Sequence, residues 1–219
     1  MMQSPKRIRL ALLLALALAS TWALLGCGKE EEEAVTGPTG DPLALIRQGW
    51  ARFEAEDFGG AYDLFTDAIL IGSGSTDPYL GAGWSGYLLD TLRWADAERL
   101  WNDGLGKTFG DRALIHCGLG LMAFDRGNYD LAIERMDSVL VLSPGFRFVH
   151  RPSVNIDDVY WILAESWYLE GDFVQSLSWV KRLNENFLMD SSELNGSDSL
   201  AARYALAEEI ERLEALVRR

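Results

Sequence analysis

"GNYDLAIERMDSVLVLSP", residues 127–144, opens on turn residues, sets an aromatic ring at Tyr129 and closes on Pro144. Between those marks, Tyr129, Ala132 and Met136 fall three and four positions apart, the spacing that puts side chains on one face of an α-helix. The same order recurs in "DFGGAYDLFTDAIL" (57–70), "RWADAERLWNDGL" (93–105) and "GDFVQSLSWVKRL" (171–183). Each has an aromatic followed by a small residue: Phe58/Ala61, Trp94/Ala97, Tyr129/Ala132 and Phe173/Ser176. Four positions on comes a large apolar residue: Phe65, Trp101, Met136 and Val180. The small positions are 36, 35 and 44 residues apart. A period near 34 with this content means stacked helix–turn–helix units.

The upstream segments agree. "LIRQGWARFEAED" and "YLGAGWSGYLLD" share Gly-Trp with an aromatic three residues later, at Phe53 and Tyr87. "IHCGLGLMAFDRG" and "VYWILAESWYLEG" put Phe124 and Tyr168 in the matching place. Small residues at Gly49, Gly83, Gly120 and Ala164 let the second helix of each pair approach closely. Asp41-Pro42 and Asp77-Pro78 are helix starts, with an acid at the cap and proline in the first turn.

This pattern resembles the tetratricopeptide repeat. Its third unit, with Gly120, Gly127-Asn128-Tyr129, Ala132 and Pro144, matches most closely. The second departs, with two extra residues before Ala97 and Gly104 where alanine is usual. The expected fold is all-α: a solenoid of about four such units over residues 42–188, followed by a linker and capping helix over 189–219. In the resembling family the first helices line a concave groove, and two positions of each point into it. Carried over, these are Trp50 and Phe53, Trp84 and Tyr87, Leu121 and Phe124, and Glu165 and Tyr168. Aromatics anchor interfaces, so Trp50, Phe53, Trp84, Tyr87, Phe124 and Tyr168 are the candidate partner-binding residues. The alternative is that these rings pack between repeats or beneath the last helix.

Two parts lie outside the repeat. The 44-residue interval carries the insertion "SPGFRFVHRPSVN" (143–155). Its Arg147 and Arg151 are candidates for contact with an anion, or for pairing with the chain's own acids. The segment "SLAARYALAEEIERLEALVRR" has apolar residues at Leu200, Tyr204, Ala207, Ile210, Leu213 and Val217, one helical stripe. Glu208/Arg212 and Glu214/Arg218 sit four apart for solvent-side pairing. A cap that is polar outside fits the end of a solenoid; a partner-binding amphipathic helix is the alternative.

The amino terminus carries an address. "KRIR" precedes an apolar run from Leu10 to Leu25, shorter than the roughly 20 residues of a membrane span and matching a signal peptide over 1–26. Leu24-Leu25-Gly26-Cys27 resembles the lipobox of bacterial lipoproteins, which implies a lipid on Cys27 and a bulk chain outside the cytoplasm. An uncleaved anchor is the alternative. Gly28 after the cysteine favours the periplasmic face of the outer membrane. "GKEEEEAVTGPTGDP" follows, too polar and rich in glycine and proline to bury area, so 27–41 reads as a lipidated cysteine on an acidic tether.

Charge narrows the partners. There are 33 acidic and 20 basic side chains, a net −13. Residues 1–26 hold three of the bases and no acid, so their removal leaves −16. That field repels phosphate backbones, which argues against nucleic acid. Two cysteines and two histidines are too few for a disulfide framework or a zinc site. His116 and Cys117 are adjacent, about 100° apart on a helix, and read as packed core rather than ligands. Gly81-Ala82-Gly83-Trp84-Ser85-Gly86 has the G-x-G-x-x-G form, but it falls within a helix and lacks the preceding strand of a dinucleotide site. No nucleophile, base and orienting group come together in the sequence, so no enzyme, cofactor or metal is expected. The expected role is a membrane-anchored scaffold for envelope proteins or peptides. A carrier or accessory subunit holding a small apolar ligand in the aromatic groove is the second reading.

Overall fold

The computed structural model describes residues 40–195 and 199–217, and the expectations for the leader, Cys27 and the tether lie outside these. Eight helices pair in order: α1 (Pro42–Glu54) with α2 (Phe58–Ile71), α3 (Asp77–Leu89) with α4 (Trp94–Leu105), α5 (Arg112–Asp125) with α6 (Tyr129–Leu142), and α7 (Ile156–Leu169) with α8 (Phe173–Leu183). A ninth, α9 (Ser199–Val217), packs on α7 and α8. The fold is an all-α, tetratricopeptide-like solenoid with a terminal helix. Among the described residues, β-structure is confined to one isolated bridge, Arg147 to Asn155, and no helix is long and apolar enough to cross a membrane.

The repeat register is visible in the packing. The four small and four large positions of the second-helix pattern, from Ala61 and Phe65 to Ser176 and Val180, are fully buried at 0 % exposure. In the first three pairs the large residue packs against the small one on the first helix of its own pair. A methyl built on Gly49 would lie 2.8 Å from Phe65, one on Gly83 would lie 2.3 Å from Trp101, and one on Gly120 would lie 2.9 Å from Met136. The fourth pair carries the smaller Val180, and there the small position is alanine, Ala164, also 0 % exposed. Size on one helix sets size on the other.

Three of the four turns inside the pairs share one construction. Asp57, Asn128 and Asp172 each accept a hydrogen bond from a backbone N–H three residues on, capping α2, α6 and α8. One residue before the cap the chain turns left-handed, at Glu56 (φ 60°), Gly127 (φ 73°) and Gly171 (φ 85°). The first repeat thus uses glutamate where the others use glycine, in a region that disfavours a Cβ. The second repeat departs, as its two extra residues foretold. Asp90 caps a 3-10 turn, Thr91–Arg93, that runs into α4.

Two expectations need correction. Helix α3 starts from Thr76, whose side chain makes no cap bond, while Asp77 is already helical. The terminal helix is turned from its expected stripe. Leu206, Ile210 and Leu213 are buried, but Leu200 is 64 % and Tyr204 63 % exposed. Arg203 takes the inward place instead, with its guanidinium over Phe173 at 4.4 Å and Nη2 donating to the Leu194 carbonyl. The sequence hides this because a long basic stem can cover a ring as a leucine does. In the same helix Arg212 pairs with Glu209, three residues away, rather than Glu208. Arg218 lies outside the described residues.

Candidate partner-binding groove

The three first rings of the expected ladder do converge. Trp50 meets Phe53 edge-on at 5.5 Å, and Trp84 meets Tyr87 at 6.0 Å and Trp101 at 5.6 Å. The face they form is closed, however. Phe148, from the insertion between α6 and α7, sits among them with ring centroids 6.0 Å from Trp50, 5.5 Å from Phe53 and 5.0 Å from Trp84. Phe148 is 0 % and Phe146 2 % exposed, and Trp50, Phe53 and Trp84 are buried with them. The chain's own segment holds the place in the first two repeats that a ligand was expected to take.

The insertion is built to do this. Arg147 bridges Asn155, and the Phe148 N–H donates to the Val154 carbonyl. Within that frame two tight turns follow each other. One runs Phe148–Arg151, closed by the Arg151 N–H on the Phe148 carbonyl, and the other runs Arg151–Val154, closed by the Val154 N–H on the Arg151 carbonyl. Pro152 occupies the second place of the latter turn, where its fixed φ is favourable. Extended backbone alternates its faces, so Phe146 and Phe148 point inward while Arg147 and Val149 are exposed. His150 then lies flat on Trp50 and bonds Glu54 Oε1 through Nδ1 at 2.8 Å.

The remaining ladder residues are half-buried and engaged. Tyr87 donates to the Asp125 carboxylate. Phe124 packs on Trp161 and Tyr129. Tyr168 donates to the Arg203 carbonyl and packs on Phe173, so the last rung lies under α9. Arg147 and Arg151 make no ion pair among the described residues; the Arg151 guanidinium lies 5.8 Å over the Phe58 ring. The sequence marked the insertion only for its cations. The signal for its packing role was Phe-x-Phe, an in–out alternation between two prolines.

Elsewhere the chemistry is sparse. Cys117 is wholly buried, and burial with Asp158 and Asp111 nearby pushes its thiol well above the ordinary range. Burial also holds the neighbouring His116 below its usual value, helped by Arg135 and Arg112. His116 lines an open depression with Arg112, Asp137, Ser138, Val141 and Leu142. Burial raises Asp137 there. The Ser138 hydroxyl is turned to the Glu134 carbonyl at 2.9 Å, so no activated nucleophile faces the histidine. No group of three or more His, Cys, Asp or Glu among the described residues could hold a metal. The glycines 81, 83 and 86 lie inside α3, packed on Phe65, Trp101 and Tyr62 rather than bordering a phosphate site.

No family model and no curated protein matches this chain. Solved structures do. One is the crystal structure of PilW, described as a widely conserved type IV pilus biogenesis factor. It is similar with a TM-score of 0.53 at 16 % identity, covering 81 % of this chain and 77 % of that one. At that identity the likeness is one of fold.

Proposed function

We propose that this chain is a lipid-anchored, extracytoplasmic scaffold that binds other proteins or peptides of the cell envelope. The observation that carries the reading is the repeat solenoid itself, whose stacked helix pairs offer extended surface for a partner. The segment Leu24-Leu25-Gly26-Cys27 after an apolar run supports an anchor on Cys27, with the periplasmic face of the outer membrane as the proposed site. The shared fold with a pilus biogenesis factor supports a role in assembling an envelope structure.

The carrier reading has less support. The space between Trp50, Phe53 and Trp84 that an apolar ligand would use is held by Phe148. Crosslinking in the native envelope with mass spectrometry tests the scaffold: a recurrent protein partner is expected, and capture of none sinks the reading. Cys27→Ala tests the anchor separately. The variant is expected to leave the membrane fraction unlipidated, and unchanged processing and attachment would refute the lipobox.

A further inference from the structure

We propose that the outward face of the insertion, Arg147, Val149 and Arg151, is a docking surface for an acidic segment of a protein partner, one that sets an apolar side chain among carboxylates. The inference rests on the scaffold reading and names the surface that reading leaves open once the groove is filled.

Three observations carry it. First, the inward half of the loop is fixed: Phe146 and Phe148 are buried and two hydrogen-bonded turns hold the backbone, so the outward side chains are displayed on a rigid support. Preorganisation lowers the entropy cost of binding. Second, the outward half is mixed in character. Val149 is 76 % exposed at a turn corner, and the exposed Arg147 and half-buried Arg151 stand on either side of it in the chain. Third, Arg147 and Arg151 make no ion pair among the described residues, in a chain with 33 acids. Two acids of the first repeat are already engaged: His150 takes Glu54, and Arg52 takes Asp57, which caps the helix beginning at Phe58, the ring that Arg151 covers. Arg47, one turn before Trp50 on α1, is likewise exposed without an ion pair among the described residues. Arginine forks match carboxylates in pairs, and an exposed valine between them asks for an apolar side chain.

The test uses the full chain in detergent and a fluorescein-labelled peptide of three Glu-Glu-Leu units, read by fluorescence anisotropy. Binding is expected, with about tenfold loss in the Arg147→Glu/Arg151→Glu double variant and partial retention in the Lys/Lys double variant. A few-fold loss is expected in Val149→Ser, and none in Arg99→Glu, which reverses an exposed charge on α4. Thermal unfolding followed by circular dichroism checks that each variant is folded. No peptide binding, or equal binding by the wild type and the Glu/Glu variant, overturns the surface. If envelope crosslinking captures a partner at positions away from this loop, the scaffold stands and the surface falls.

Discussion

His150 lies flat against Trp50, ring centroids 4.0 Å apart and planes 5° from parallel, although two repeats of chain separate them. The stack is the visible edge of a longer tie. The loop that leaves the third repeat returns to the first, and Phe148 touches rings from α1 and α3 on the way. Solenoid repeats ordinarily meet only their neighbours in sequence. This one carries a strap across its face.

The strap should therefore contribute to stability beyond its own turns. Phe148→Ala removes a fully buried ring and is expected to cost about 3–5 kcal/mol, and it should lower the cooperativity of unfolding by freeing the first repeat. His150→Ala removes one half-exposed stack and is expected to cost only about 0.5–1.5 kcal/mol. Urea unfolding followed by circular dichroism separates the two. Equal effects would mean that Phe148 is not the anchor.

The glycine–ring pairs predict an order of sensitivity. Gly83→Ala would drive a methyl into the Trp101 indole at 2.3 Å, which is rigid and buried on all sides. An overpacking cost of about 1–3 kcal/mol is expected. Gly120→Ala meets the flexible end of Met136 at 2.9 Å and the Arg135 Cβ at 3.1 Å, and the gain of about 1 kcal/mol in helix propensity should offset much of this milder crowding. A larger loss at Gly120 than at Gly83 in melting experiments would reverse this account.

The sequence showed the architecture and obscured the site, for one physical reason. Repeat positions such as Ala61/Phe65 and Ala132/Met136 obey a local period, so their burial follows from spacing alone. Whether Trp50 and Trp84 face solvent depends on a segment far away in sequence, and no local pattern reports that. Arg203 escaped notice similarly, because its role depends on Phe173 lying beneath it. The second repeat's altered turn was legible because extra residues disturb the period directly.

The left-handed turn residue of the first repeat offers a stabilising substitution. Glu56 sits at φ 60°, where Gly127 and Gly171 stand in the third and fourth repeats. Relief of Cβ strain exceeds the added freedom of the unfolded chain, so Glu56→Gly is expected to stabilise by up to about 1 kcal/mol. The reciprocal change, Gly171→Ala, meets nothing within 4 Å, so its expected loss of about 1–2 kcal/mol is purely conformational. Opposite signs in thermal melts support the shared turn. A destabilised Glu56→Gly variant would show that its side chain has another use.

Acid should loosen the terminal helix through Glu209. This buried carboxylate accepts from Arg212 and from Asn184 Nδ2 at 2.8 Å, and the Arg212 hydrogen bonds in particular hold it below the ordinary glutamate value. An acid whose folded value is depressed stabilises above its unfolded value, and that contribution is lost as pH falls through the folded one. Glu209→Gln should thus be less stable than the wild type at pH 7, and the gap should close below about pH 4. Urea midpoints measured for both proteins across pH 3–7 provide the check. A gap that stays constant over this range would mean that Glu209 acts through packing or neutral hydrogen bonding rather than through its charge.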